Sequence, residues 1–250
     1  MEQNTTGDPV LMSILKERLV GCDDAVYADV YIGERGRVRG TLVFIDGMVQ
    51  SNASYDYILK PLAQDEAFAG ISDEKTAFDL ITHGHVYHGQ QKICDTMTAV
   101  MSELLYGSAL LVFDGLKTAV AFDVKGFEKR GITEPTNESV LKGSKEGFVE
   151  VLRTNTALMR RRIQSNDLKA VQLRLGRRTH TTAAIMYMAG IANDAVINEV
   201  RRRLELADVD GIAAAGQIET ILYEKASVVF PQLMITERPD RLSGNLLEGR

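Results

Sequence analysis

Three of the four histidines fall within residues 82–89, at His83, His85 and His88. Imidazole is a common zinc ligand, so this spacing raises the question of a metal site. In a strand, His83 and His85 would share one face and His88 would point to the other, so two ligands converge at most. The alternative is a polar turn that enters a strand over residues 86–93. We adopt that alternative and expect no metal and no cofactor.

Arginine residues form three clusters, at residues 160–162, 177–178 and 201–203. The planar guanidinium suits carboxylate and phosphate recognition. Consecutive helical residues lie about 100° apart, so a helical triplet cannot face one ligand. One interpretation is a solvated helix side with ion pairs, such as Glu199 with Arg203. The other is a basic surface that faces anionic lipid or an acidic partner.

A polar segment, Arg-Thr-Asn-Thr at residues 153–156, lies within a predicted helix. Asn and Thr have below-average helix propensity, so these side chains either contact a neighbouring domain or lie exposed. Taken with the arginine clusters, the segment supplies a candidate ligand-binding set: Arg153, Asn155, Arg160 and Arg178.

Motifs of known catalytic classes do not occur in the sequence. Residues 33–36 (Gly-Glu-Arg-Gly) lack the lysine and glycine spacing of a P-loop, and no G-x-G-x-x-G precedes a helix. The Asp-Gly pairs at Asp46 and Asp114 indicate turns at strand ends. We therefore predict a protein that binds or assembles, not an enzyme.

The composition describes a globular chain of 250 residues that is 45% hydrophobic and 25% charged. Its net charge of -5 and pI near 5.5 argue against a nucleic-acid partner. Two cysteines exclude a disulfide framework and fit a reducing compartment. The N-terminus lacks the pattern of a secretory signal. The longest apolar run, residues 183–192, is shorter than the roughly 20 residues of a membrane span, so we expect a soluble chain.

Local patterns predict three hairpins, several helices and one linker. The hairpins pair residues 25–32 with 40–45, 109–113 with 118–122, and 170–175 with 182–188. Helices are predicted over residues 73–81, 95–106, 145–163, 194–206 and 217–223, and a strand over 226–230. The linker is predicted over residues 126–143, which are polar and contain Pro135.

The predicted fold is α/β with two subdomains, residues 1–140 and 141–250, each a small mixed sheet with hairpins and packed helices. The first contains 12 Lys and Arg against 21 Asp and Glu, and the second 17 against 13, so one is acidic and the other basic. A shift of 143 residues places Gly33 on Gly176, Gly47 on Gly190 and Ser51 on Asp194. We hypothesise a distant ββα duplication.

The second half contains several specific motifs. They are residues 132–138 (Ile-Thr-Glu-Pro-Thr-Asn-Glu), 143–150 (Gly-Ser-Lys-Glu-Gly-Phe-Val-Glu), 153–155 (Arg-Thr-Asn), 158–163 (Leu-Met-Arg-Arg-Arg-Ile), 230–232 (Phe-Pro-Gln), 236–240 (Thr-Glu-Arg-Pro-Asp) and 245–250 (Asn-Leu-Leu-Glu-Gly-Arg). Together they resemble the A subunit of the GerA-type germinant receptors of bacterial spores. Ser144 and Lys145 stand where the family pattern has Pro-Arg.

The resemblance implies a soluble N-terminal region that precedes membrane helices in the inner spore membrane, here on the spore-core side. It implies B and C subunits and other A subunits as partners, a response to nutrients, and ion release. It transfers no catalytic residue. A second interpretation is a nutrient-binding module with a cleft between the subdomains, and a third is an unrecognised α/β enzyme. Thr236 and Pro239 predict a final helix with Leu242, Leu246 and Leu247 on one face, leading toward the membrane domain.

Overall fold

The computed structural model describes residues 8–33, 36–86, 89–126, 144–223 and 231–249. The chain divides into two compact units. Unit 1 comprises Met1–Val20, Asp24–Glu128 and Gln164–Asn166, and unit 2 comprises Gly21–Asp23, Lys129–Ile163 and Asp167–Arg250. The predicted linker lies almost wholly outside the described residues, as do His88 and the predicted strand over 226–230. The boundary at residue 140 therefore stays a prediction.

The helices and strands follow one another with short connections. Unit 1 contains α1 (Met12–Arg18), β1 (Ala25–Ile32), β2 (Val38–Ile45), α2 (Ser51–Ser54), a π-helical stretch (Tyr55–Leu59), α3 (Lys60–Gln64), a 3-10 turn (Glu66–Phe68), α4 (Glu74–Leu80), a π-type turn (Ile81–His85), β3 (Gln91–Cys94), α5 (Met97–Tyr106), β4 (Ala109–Phe113) and β5 (Thr118–Phe122). Unit 2 contains α6 (Leu152–Arg162), β6 (Leu168–Leu175), β7 (Thr181–Met188), α7 (Asp194–Glu205), α8 (Ala215–Leu222) and α9 (Pro239–Leu247).

Unit 1 is built on a five-stranded sheet with the order β1-β2-β4-β5-β3. Every pairing in this sheet is antiparallel. The α/β class and the hairpins are confirmed, whereas the expectation of a mixed sheet is corrected for this unit. Tight turns join β1 to β2 and β4 to β5, and a chain that reverses through a tight turn pairs antiparallel.

Both faces of the unit 1 sheet are covered where β4 and β5 run. All ten residues of these two strands are buried, as their continuous apolar runs predict. One face joins a core that includes Leu42, Ile58, Leu62 and Phe68. On the other face α5 packs with its buried side chains, among them Val100 and Leu104.

Unit 2 is built on the β6–β7 hairpin, with helices packed against both strands. One core cluster joins Met159, Leu168, Met188 and Leu246, and a second joins Leu175, Leu204 and Ile212. A short segment of the early chain pairs with the same hairpin, because Cys22 forms a parallel bridge with Ala170. Unit 2 therefore draws on residues from near both ends of the sequence.

The two long hairpins are equivalent at the offset of 143 residues. In β1–β2 the paired strands are Ala25–Ile32 and Val38–Ile45, and in β6–β7 they are Leu168–Leu175 and Thr181–Met188, with the same register in each. Gly33 and Gly176 both begin the connecting loop with φ of 83°. L-residues with a side chain avoid this conformation, which explains glycine at both positions. These matches support the duplication hypothesis.

The largest departure from the sequence prediction concerns the helix expected over residues 145–163. The observed helix α6 begins only at Leu152, and residues 144–149 have no regular secondary structure. The backbone of this segment is held by distant partners, because Phe148 N donates to Glu237 O at 2.8 Å. Tertiary hydrogen bonds thus replace the helical ones that the local pattern favours.

Candidate functional site

Helix α6 carries three of the four predicted ligand-binding residues, Arg153, Asn155 and Arg160. The fourth, Arg178, lies in the loop between β6 and β7. Arg160 contacts the first residue of β6, whereas Arg178 follows the last residue of that strand by three positions. Eight residues of strand span roughly 25 Å, so the set does not converge on one ligand within unit 2. As a nutrient-binding set, the four residues remain a prediction.

Asn155 brackets the backbone of Val149. Its Oδ1 accepts a hydrogen bond from Val149 N at 2.8 Å, and its Nδ2 donates to Val149 O at 2.6 Å. A carboxamide suits this task, because it presents one acceptor and one donor side by side. The side chain therefore fixes the segment that leads into α6.

Arg160 is buried, with an exposed fraction of 1%. Its Nη1 donates to the backbone carbonyl of Leu168 at 2.6 Å. A buried guanidinium needs such acceptors to offset the loss of water. Arg160 therefore connects α6 to the start of β6, next to the core cluster that includes Met159 and Leu168.

The two following arginines face a carboxylate. Arg162 Nη2 lies 2.8 Å from Glu146 Oε2 and 2.8 Å from Ser144 Oγ, and Arg161 Nη1 lies 3.6 Å from Glu146 Oε1. The cluster at residues 160–162 is thus divided between a buried residue and two that hold the incoming segment. A ligand is not needed to explain its composition.

Helix α9 completes this region from the end of the chain. The helix begins at Pro239, and Leu246 is buried against α6 and β7 with Leu242 beside it. Arg238 forms an ion pair with Asp240, Nη2 to Oδ2 at 2.6 Å, and this hydrogen bond lowers the pKa of Asp240. Thr236 Oγ1 accepts a hydrogen bond from Arg238 N. We call α6, α9 and residues 144–150 the motif cluster.

The motif cluster gathers most of the described sequence motifs of the second half into one place. Phe148 N donates to Glu237 O, so the segment before α6 is joined directly to the segment before α9. Motifs that are far apart in the sequence are therefore neighbours in unit 2. This arrangement gives each motif a structural role in holding α9 against α6.

The other arginine clusters form ion pairs near the surface. Arg203 Nε lies 2.7 Å from Glu199 Oε1, which confirms the predicted pair, and Arg202 shares the same carboxylate. Hydrogen bonds from Arg202 and then Arg203 lower the pKa of Glu199 to about 2. Arg177 pairs with Asp208 and Asp210. These contacts follow the interpretation of a solvated surface.

The histidine stretch forms a helical turn that continues α4, and strand β3 begins only at Gln91. His83 and His85 therefore do not share the face of a strand. His83 Nδ1 lies 2.5 Å from Asp79 O, and Gly84 ends the helical path with φ of 94°. Within the described ranges, no group of three His, Cys, Asp or Glu side chains is placed to hold a metal ion.

Apolar side chains flank α9 on its exposed side, and the sequence analysis overlooked most of them. Met234 and Ile235 precede the helix and are about half exposed, and Leu247 in its last turn is 53% exposed. Met234 Sδ lies 3.8 Å from Asn245 Nδ2 of α9. The consecutive apolar residues 233–235 were the available signal. We call Leu233, Met234, Ile235 and Leu247 the α9 apolar flank.

The model of the Bacillus/Clostridium GerA spore germination protein family matches residues 13–250. The chain belongs to the GerA family. Its motif cluster is therefore a feature of a GerA-family protein, and the resemblance seen in the sequence is confirmed. Among the described residues, none of the helices combines the length and apolar character that a bilayer crossing requires.

Curated relatives support this assignment. The chain is 34% identical to spore germination protein KA and 35% identical to spore germination protein B1, both of Bacillus subtilis (strain 168). These matches cover 94% and 96% of this chain but only 42% and 48% of the relatives. The chain thus spans less than half of their length.

A solved structure supports it as well, namely the N-terminal domain of the A subunit of the Bacillus megaterium spore germinant receptor GerK3. It matches with a TM-score of 0.70 and 30% sequence identity, over 99% of this chain and 92% of that one. The α/β architecture described above is therefore shared with a GerA-family domain.

Proposed function

We propose that this chain is the N-terminal domain of a germinant receptor A subunit. In this role it takes part in receptor assembly and in the nutrient signalling that triggers spore germination and ion release. The observation that carries the proposal is the match to the GerK3 A-subunit domain over nearly the whole chain. The role is that of a binding and coupling domain, without a chemical step of its own.

The motif cluster supports a coupling role. Buried Leu246 fixes α9 to α6 and β7, while Leu247 on the same helix faces outward. A helix held firmly on one face can transmit a shift in position to whatever contacts its other face. The α9 apolar flank provides such a contact surface, since exposed apolar groups gain free energy when a partner covers them.

The partners that we propose are other A subunits and the B and C subunits of the receptor. The location that we propose for the full-length protein is the inner spore membrane, with this domain on the spore-core side. Support comes from the length of the relatives, which is more than twice the matched region, and from the match to an A-subunit domain. A small nutrient ligand is a further proposal.

The test of the receptor role uses spores of the organism that encodes the chain. Deletion of the gene is expected to abolish or slow germination in at least one nutrient, while a trigger that bypasses nutrient receptors still works. Complementation with the intact full-length gene should restore the response. Unchanged germination of the deletion strain across a broad nutrient panel would contradict the proposal.

The test of the coupling surface replaces Ile235 and Leu247 together by serine in the full-length gene. Both are exposed, so folding should be preserved while assembly and the germination response fall. The matched control is Leu206→Ser, because Leu206 is 67% exposed and lies outside the α9 apolar flank. Equal germination of the double variant, the control and the wild type, at equal protein levels, would remove the surface from the proposal.

A further inference from the structure

Unit 1 contains a polar groove that the motif cluster does not involve. It lies between the last turn of α5 and the strands β3 and β5, with a volume of about 470 Å³. Its lining includes Ala121, which is buried and pairs with Lys92 across the strands. The small methyl group of Ala121 leaves space that a larger side chain would fill.

Two pairs of opposite charge line this groove. Lys92 Nζ lies 2.8 Å from Glu103 Oε1, and Lys125 Nζ lies 3.3 Å from Asp123 Oδ1. The groove therefore offers two cations and two anions in one small volume. An isolated anion there would meet two carboxylates, and an isolated cation would meet two ammonium groups.

The charged groups are held in place before any ligand arrives. Ser108 Oγ donates at 3.1 Å to Glu103 Oε2, the carboxylate oxygen that does not bind Lys92. Lys125 Nζ lies 3.6 Å from the centroid of the Tyr106 ring, a cation–π contact. The hydrogen bond to Glu103 raises the pKa of Lys92, so this ammonium stays charged near neutral pH. Preorganised groups bind at a lower entropic cost.

We propose that this groove binds a small dipolar ion, one that carries an ammonium and a carboxylate group, of which free α-amino acids are the commonest class. The ligand's carboxylate would face Lys92 or Lys125, and its ammonium would face Glu103 or Asp123. Each end then meets an opposite charge within reach of a hydrogen bond. This inference is independent of the proposed receptor role, because it concerns a site within unit 1 alone.

The experiment follows backbone amide chemical shifts of the 250-residue chain by NMR during titration with each of the twenty common α-amino acids, up to roughly 10 mM. Propionate and ethylamine, which each lack one charge of alanine, serve as ligand controls. We expect at least one amino acid to shift the amides of Gln91, Ser108 and Lys125 in a saturable way. We expect neither single-charge control to do so at the same concentrations.

Variants test whether the charge pairs are responsible. Lys92→Gln and Lys125→Gln each remove one ammonium group from the groove, and at least one is expected to weaken binding roughly tenfold without loss of fold. The matched control is Arg39→Gln, which breaks an exposed ion pair with Asp29 at 2.9 Å elsewhere in unit 1 and should leave the affinity unchanged.

Three results would each overturn the proposal. The first is the lack of a saturable shift with any amino acid. The second is equal binding by propionate or ethylamine, because a single charge would then suffice. The third is an affinity that neither lysine variant lowers below that of the Arg39→Gln control.

Discussion

Two arginines that look alike in the sequence occupy opposite environments in the structure. Arg160 is buried and donates to Leu168 O, whereas the Arg178 side chain is 82% exposed with Nε 3.8 Å from Asp210 Oδ1. The sequence marks both as candidate ligand-binding groups. Burial distinguishes them, because a buried charged group that loses its partners is costly while an exposed one is solvated.

The first prediction compares these two positions. Arg160→Ala is expected to lower the free energy of unfolding by about 2–3 kcal/mol, because it removes a charge-assisted hydrogen bond and leaves a cavity. Arg178→Ala is expected to change it by less than about 0.5 kcal/mol. Urea unfolding followed by circular dichroism measures both. Similar values for the two variants would show that Arg160 is not a structural anchor.

The second prediction concerns Asn155. Asn155→Ala leaves both backbone groups of Val149 without their bracket and should lower the free energy of unfolding by about 1–3 kcal/mol. Asn245→Ala is the control, since that amide contacts the Met234 sulfur, a weak acceptor. The same unfolding assay applies. A loss no larger than that of the control would mean that the bracket contributes little.

Among the helices, α9 has one buried and one exposed leucine in consecutive positions. Leu246→Ala removes a side chain from the core cluster of unit 2 and should cost about 2–4 kcal/mol of stability. Leu247→Ala should cost far less, because that side chain belongs to a residue that is 53% exposed. Thermal unfolding of the two variants provides the comparison. A reversed order would place the wrong face of α9 against the core.

Helix α7 supplies a prediction about pH. The pKa of Glu199 falls from its ordinary value of 4.5 to about 2, through hydrogen bonds from Arg202 and Arg203. A depressed pKa in the folded state means that the carboxylate stabilises the fold above pH 4.5, and that this contribution is lost as the pH falls through about 2. An NMR titration of the Glu199 carboxyl carbon should show this low midpoint. Arg202→Gln should move the midpoint upward, and a wild-type midpoint near 4.5 would contradict the assignment.

Across the chain as a whole, charge is divided between the acidic first 140 residues and the basic remainder. We predict that self-association through these surfaces weakens as salt rises, because exposed charges are screened over about 10 Å at 0.1 M ionic strength. Analytical ultracentrifugation at low and high salt measures the effect. Association that does not depend on salt would assign assembly to apolar contacts, such as the α9 apolar flank.

Local sequence patterns were enough to establish the hairpins, the amphipathic helix α7 and the family. Gly33 and Gly176 mark their turns, and Glu199 with Arg203 marks an ion pair, because each of these features depends on residues that are close in the chain. The family motifs were recognisable because they are specific runs of residues. The α/β class follows from the same elements.

What the motifs do became clear only from contacts across the fold. Residues 144–149 are not helical because Asn155 and Glu237 hold their backbone, and the burial of Arg160 depends on the acceptor that Leu168 O provides. The groove in unit 1 likewise requires β3, α5 and the segment after β5 to meet. Contacts between residues far apart in the chain carry no local signature, and so they appear only when the fold is complete.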